Sequence, residues 1–163
     1  MKKLLFITGL VFAINSSADD SLLDRVKTPG VLNPDVTQAT LNTTVCVPNW
    51  TKTIRPPASY TNKLKAKQLA DARYTDKDMT HYEEDHFVPL SSGGNSTAEG
   101  NLWAQPRFGN NASADKDIVE SGVHRDLCKG KLTLQQAQNI FLSDWRLWLE
   151  QYKKTDSKTV VVD

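Results

Sequence analysis

The chain is 163 residues long and carries 20 Lys and Arg against 19 Asp and Glu, a formal charge of +1. That length accommodates one domain. The even charge excludes the broad basic field by which many nucleic-acid binders collect a polyanion, so such a partner must be held by a local arrangement. Its two cysteines lie far apart, which excludes a CxxC redox pair and a four-thiolate zinc site.

Residues 1–18 read as a signal peptide: Lys2 and Lys3 form a basic start, Leu4 to Ile14 a short apolar run, and Ser16-Ser17-Ala18 the small residues for cleavage. The run is shorter than the roughly 20 apolar residues of a membrane span, and no later segment is long and apolar enough. The mature form is therefore expected to be exported, periplasmic or secreted, with no membrane attachment. Cleavage takes away two lysines and no acid, leaving −1 over 145 residues. Export puts Cys46 and Cys128 where disulfides persist, and the two are expected to pair.

Residues 19–28 are polar and read as a loose lead-in. Six prolines and glycines between Pro29 and Pro57 argue against a long helix and for an extended wrap, with a short strand over Thr43 to Val47. Tyr60 to Tyr74 lacks Pro and Gly and places Leu64, Lys67, Gln68 and Ala72 at helical spacing. Asp85 to Leu90 and Asn101 to Trp103 read as two short strands around a turn at Gly93-Gly94. A helix follows, with Ser113 as N-cap, Asp115 and Asp117 in its first turn and Gly130 at its exit. Thr133 and Gln136 have capping-box spacing, and the stripe from Leu134 through Trp145 and Trp148 to Leu149 predicts one amphipathic helix. The tail from Lys153 is read as flexible, so residues 29–152 make a single domain.

Hydrolysis of a phosphodiester needs a base to activate water, a metal to hold the scissile oxygens and the developing charge, and fixed geometry for both. Asp85-His86 offers a carboxylate and an imidazole on neighbouring residues. Neighbours on a strand point to opposite faces, so both serve one site only where the strand ends or bends. Pro89 close behind suits an edge. The run Asp85-His86-x-x-Pro89-Leu90-x-x-Gly93-Gly94, followed by Asn101-Leu102, resembles the HNH nuclease family. Lys116-Asp117-x-x-Glu120, His124, Cys128-x-Gly130, Ala137-Gln138 and Asp144-Trp145 extend the likeness towards small secreted bacterial HNH-like proteins. So do Pro29-Gly30, the stretch from Cys46 to Trp50, and Arg55-Pro56-Pro57.

That resemblance implies an α+β fold: a ββα-metal hairpin-helix core with additional helices and the Pro-rich N-terminal wrap. It implies His86 as general base, a neutral imidazole at pH 7, and Asn101 as the amide that holds the His-bearing loop and selects the ring tautomer. Asp85 is the implied first ligand of a divalent ion, Mg²⁺ or Mn²⁺. The third position departs from the pattern, and Asn110 and Asn111 are both candidates for it. Asn there also suits a bare turn. His124 is the other candidate, or a structural residue bonded to Glu120. Glu84 and Glu120 stand as supports behind the site, or as solvated acids. Arg107 and Lys116 flank it as phosphate contacts, or as ordinary surface charge.

The implied activity is endonucleolytic cleavage of nucleic acid, DNA before RNA. The alternatives are a binding module that keeps the scaffold without turnover and a hydrolase of another phosphate ester. Export generates the first test: N-terminal sequencing of protein from the periplasm or medium is expected to begin near Asp19, and intact Met1 in a cytoplasmic pool would refute it.

Overall fold

The structure, a computed structural model, describes residues 22–159, with side chains described through residue 155. The signal peptide, the first residues of the lead-in and residues 160–163 lie outside the described residues. The architecture is α+β. Helices α1 (Trp50–Ile54) and α2 (Ala58–Leu69) precede the antiparallel strands β1 (Tyr82–His86) and β2 (Leu102–Pro106), and α3 (Ser113–Cys128), α4 (Leu134–Ser143) and α5 (Leu149–Thr159) follow. Among the described residues no helix is long and apolar enough to cross a membrane.

The Pro-rich segment is a wrap, as its composition predicts, but it contains no strand at Thr43 to Val47. Thr37 and Thr40 form a reciprocal cap on a 3-10 helix over Gln38–Thr43. The amides of Cys46 and Val47 then bond back to Leu41 and Thr44. Those local bonds consume the groups a ladder would need. Further upstream the wrap pairs with the loop between the strands: Gly30 N–H donates to the Gly100 carbonyl, and Asn33 N–H to the Gly93 carbonyl, each at 2.9 Å. Gly30 has φ +90°, and a Cβ there would sit 2.5 Å from Leu142 Cδ2. The segment can pass so close only as glycine.

Cys46 and Cys128 are joined, with Cα atoms 5.5 Å apart, which fastens the wrap to the end of α3. Closing an 82-residue separation stabilises by about 4 kcal/mol by chain-entropy reasoning. His124 adds a second tie one turn earlier, its Nε2 lying 2.8 Å from the Val45 carbonyl oxygen.

Several expected boundaries move: the strand expected over Asp85 to Leu90 covers Tyr82–His86 and ends at the histidine, and the one expected over Asn101 to Trp103 covers Leu102–Pro106. The helix expected over Tyr60 to Tyr74 runs over Ala58–Leu69, starting behind Pro57. Two of its basic side chains are engaged, with buried Lys65 donating to the Tyr82 carbonyl at 3.0 Å and Lys67 paired with Glu99. Ser113 is the first residue of α3, and Ala112 holds the cap position without a side-chain bond. The single amphipathic helix expected from Leu134 to Leu149 breaks at Asp144, which turns extended and caps the next turn through Arg146 N–H. α4 does begin with the Thr133–Gln136 capping box.

The tail expected to be flexible from Lys153 is helical through Thr159. Its anchor is Tyr152, only 1% exposed and lodged against Gly122 of α3. Around this contact lies one core, in which Val119, Val123 and Leu127 of α3 meet Ala137, Ile140, Phe141 and Trp145, with Phe87, Val88 and Trp103 from the hairpin side. A Cβ on Gly122 would approach the Tyr152 ring to 2.1 Å. Gly122→Ala is accordingly expected to destabilise by ~1–3 kcal/mol through overpacking despite its better helix propensity; a denaturant midpoint equal to or above the parent's would refute that packing.

Candidate active site

β1 ends at His86, whose Cα partner is Leu102, while Asp85 faces Trp103 one step earlier. Asp85 and His86 both line one cleft of about 400 Å³, together with Glu83 and Glu84 from the same strand. Arg55, Pro56, Pro89, Asp117 and Glu120 share its wall, so α1, β1 and α3 all contribute. A cavity of about 430 Å³ opens between the N-terminal segment and α2, but Asp24, Asp71, Lys27 and Arg73 neutralise one another there and no imidazole lines it.

Asn101 fixes the loop that follows His86. Its Oδ1 accepts from Val88 N–H at 2.8 Å, and its Nδ2 donates to the carbonyls of Val88 and Asn95 at 2.9 Å each. The side chain is fully buried, so the amide substitutes for a backbone partner on both groups of Val88. Gly94 completes the fit, because a Cβ there would lie 1.8 Å from the Val88 carbonyl oxygen.

His86 is 8% exposed, and its Nε2 lies 3.0 Å from the Ser96 carbonyl oxygen. A carbonyl can only accept, so in the neutral ring Nε2 carries the hydrogen and Nδ1 keeps its lone pair. No described residue bonds to Nδ1. Burial depresses the imidazole pKa below its usual value, opposed by the Ser96 carbonyl and the Asp85 charge and aided by Lys116 and Arg55. The ring is thus held neutral and basic at Nδ1. Asn101 acts on the loop rather than on the ring; the tautomer is selected by Ser96.

Lys116 is not a surface phosphate contact. Its side chain is buried, with Nζ 2.6 Å from Asp85 Oδ2, 2.8 Å from the His86 carbonyl oxygen, and bonded to Glu120 Oε1. Burial disfavours its charge, but the two carboxylates outweigh that and raise its pKa, so it stays an ammonium. Arg107 is also committed elsewhere: it pairs with Glu83 at 2.9 Å, bonds the Tyr82 carbonyl and does not line the cleft. Arg55 is the cation at the cleft wall. It is exposed, makes no ion pair among the described residues, and sits in extended backbone before Pro56-Pro57.

The divalent ion implied by the resemblance does not fit the residues nominated for it. One oxygen of Asp85 is taken by the Lys116 ammonium. Asn110 and Asn111 lie in the turn before α3, outside the cleft; Asn111 has φ +60° and its N–H donates to Asp115 Oδ2 at 3.2 Å. They shape the turn. His124 bonds Val45 rather than Glu120 and supports the wrap. Among the described residues no group of three His, Cys, Asp or Glu side chains gathers for a metal.

Glu84 is half-buried, accepts from Gln68 Nε2 at 3.0 Å, and is pushed up to about 8 by desolvation against the opposing Gln68 bond. Glu120 and Asp117 are raised as well, chiefly by burial. No family model, curated protein or solved structure matches the chain.

The folded state therefore holds the Glu84 proton more tightly than the unfolded chain does. This contribution to stability is complete below about pH 4.5 and is lost as pH rises through about 8. Glu84→Gln keeps the shape and removes the titration. Its Tm relative to the parent is expected to improve between pH 5 and pH 9, by roughly 3–8 °C; a difference independent of pH would refute the assignment.

Proposed function

We propose that the chain is an exported phosphodiesterase of the HNH type, an endonuclease acting on nucleic acid with His86 as general base. The observation that carries the reading is the imidazole at the end of β1, held neutral with its Nδ1 lone pair free in a cleft that also offers Arg55. The hairpin β1–β2 followed by α3, with Asn101 securing the loop behind His86, has the element order of a ββα core. The signal-like N-terminus and the Cys46–Cys128 bond agree with a compartment where disulfides persist.

In this mechanism His86 Nδ1 takes a proton from water as the water oxygen forms its bond to phosphorus. The bond from phosphorus to the leaving sugar oxygen breaks, and that oxygen is protonated from solvent. Arg55 offers two N–H groups to the non-bridging oxygens, a planar fork suited to phosphate. Ser96 holds the imidazolium that forms through Nε2–H, and Asp85 lies close enough to favour its charge. No step is routed through a metal ion.

His86→Ala is expected to lower plasmid nicking by ~10²–10⁴-fold with an unchanged circular dichroism spectrum. In the parent the acid limb of the rate should lie below the usual histidine range, because burial resists protonation. A His86→Ala protein that nicks as fast as the parent would refute the mechanism; DNA retardation without cleavage by the parent would move the binding-module reading ahead.

A further inference from the structure

We propose that the Lys116 ammonium is the resident cation of this site, occupying the place on Asp85 that a divalent ion would otherwise take, so that the His86 cleft works without one. The inference rests on the phosphodiester reading and specifies how its carboxylates are held.

An ammonium has three N–H donors and no acceptor. Lys116 spends all three: on Asp85 Oδ2 at 2.6 Å, on the His86 carbonyl at 2.8 Å and on Glu120 Oε1. The side chain has no exposure, so it does not reach the substrate and acts as a positioning residue. Its place follows from the fold. Lys116 and Glu120 are one turn apart on α3 and share a face, and that face meets the end of β1, where Asp85 and the His86 carbonyl project.

Two tasks fall to a cation in such a cleft. One is neutralising the carboxylate beside the base, and the other is meeting charge on the phosphate. Lys116 performs the first from behind the wall, and Arg55 is placed for the second from the solvent side. The bond to the His86 carbonyl also ties the ammonium to the backbone of the base itself, so base, carboxylate and cation form one rigid unit.

The experiment uses mature protein freed of metal on a chelating resin, assayed for plasmid nicking and, separately, for Mn²⁺ binding by electron paramagnetic resonance. The parent is expected to nick equally fast in excess EDTA and in Mg²⁺, and to bind no Mn²⁺ at Asp85. Lys116→Met is expected to lose ~10–100-fold of its EDTA-resistant rate, to gain Mn²⁺ binding and to recover rate on adding Mn²⁺, a response that loss of a merely structural lysine would not give. Lys116→Arg, which keeps the charge, is expected to remain EDTA-resistant; if the Met variant does not fold, the parent and the Arg variant decide. Cleavage by the parent that EDTA abolishes and Mg²⁺ restores overturns the inference and leaves His86 as base. Plasmid left intact in every condition instead overturns the phosphodiester reading, and Mn²⁺ binding still judges Lys116: binding by the parent that Asp85→Asn removes counts against it, and binding only after Lys116→Met supports it.

Discussion

The structure depends on one buried charge. Lys116 Nζ joins α3 to the end of β1 through Asp85 and the His86 carbonyl, and to its own helix through Glu120. Removing an ammonium from water costs several kcal/mol, and that cost is offset only when every donor finds a good acceptor. Here all three do. The converse also holds: losing one partner leaves an uncompensated buried charge, which costs about 3–5 kcal/mol. The position of α3 against the hairpin is thereby specified to within hydrogen-bond tolerance, and with it the cleft, because Asp117 and Glu120 reach the cleft from the same helix.

A second, neutral device fixes what the charge does not. Asn101 closes the loop after His86 by bonding both backbone groups of Val88, and Gly94 allows that loop to fold down on the Val88 carbonyl. The loop then delivers the Ser96 carbonyl to His86 Nε2. The imidazole is held from two directions, through its own backbone by Lys116 and through its ring by the loop. In the general-base role proposed for His86, such restraint matters because a base loses efficiency when its ring rotates.

What the amino-acid sequence disclosed, and what it hid, follows from how far each interaction reaches along the chain. Asp85-His86, the Gly93-Gly94 bend, Asn101 and the Thr133–Gln136 cap are local patterns; the bend and the cap form where their spacing places them, whereas both strands shift, β1 ending at His86 and β2 starting after Asn101. The break at Asp144 was hidden because an aspartate inside an apolar stripe reads as one polar position, although its carboxylate prefers to cap the turn that follows. The helical tail was hidden because Tyr152 finds its partner at Gly122, thirty positions away. Arg55 is visible only as the residue before Pro56-Pro57; its place in the cleft with His86 is set by the tertiary fold. Lys116 reads as a flanking or surface charge for a sound reason. A lysine on an acid-rich helix is ordinarily solvated, and nothing nearby in sequence marks it as the partner of a carboxylate thirty-one residues earlier.

The charge of the cleft bears on how a phosphate could enter it. Five acids line it, Glu83, Glu84, Asp85, Asp117 and Glu120, against the single cation Arg55, which by count alone would repel a polyanion. The count misleads. Glu83 is paired with Arg107, Asp85 and Glu120 share Lys116, and Glu84 holds its proton at neutral pH. Lys116 offsets only one of its two carboxylates, and Asp117 and Arg55 offset each other, so the five acids reduce to about one net negative charge held at the Lys116 cluster. The same bookkeeping opposes a divalent ion on Asp85. An ion of charge +2 sharing that carboxylate would lie about 5 Å from Nζ, and at an effective dielectric of about 20 the repulsion is on the order of 7 kcal/mol. Such an ion would have to expel the ammonium or recover that energy from ligands that, among the described residues, do not gather around Asp85. A buried ammonium behind the wall and an exposed guanidinium at the mouth therefore divide the positive charge, and under the phosphodiester reading proposed above Arg55 is the group that meets the incoming phosphate.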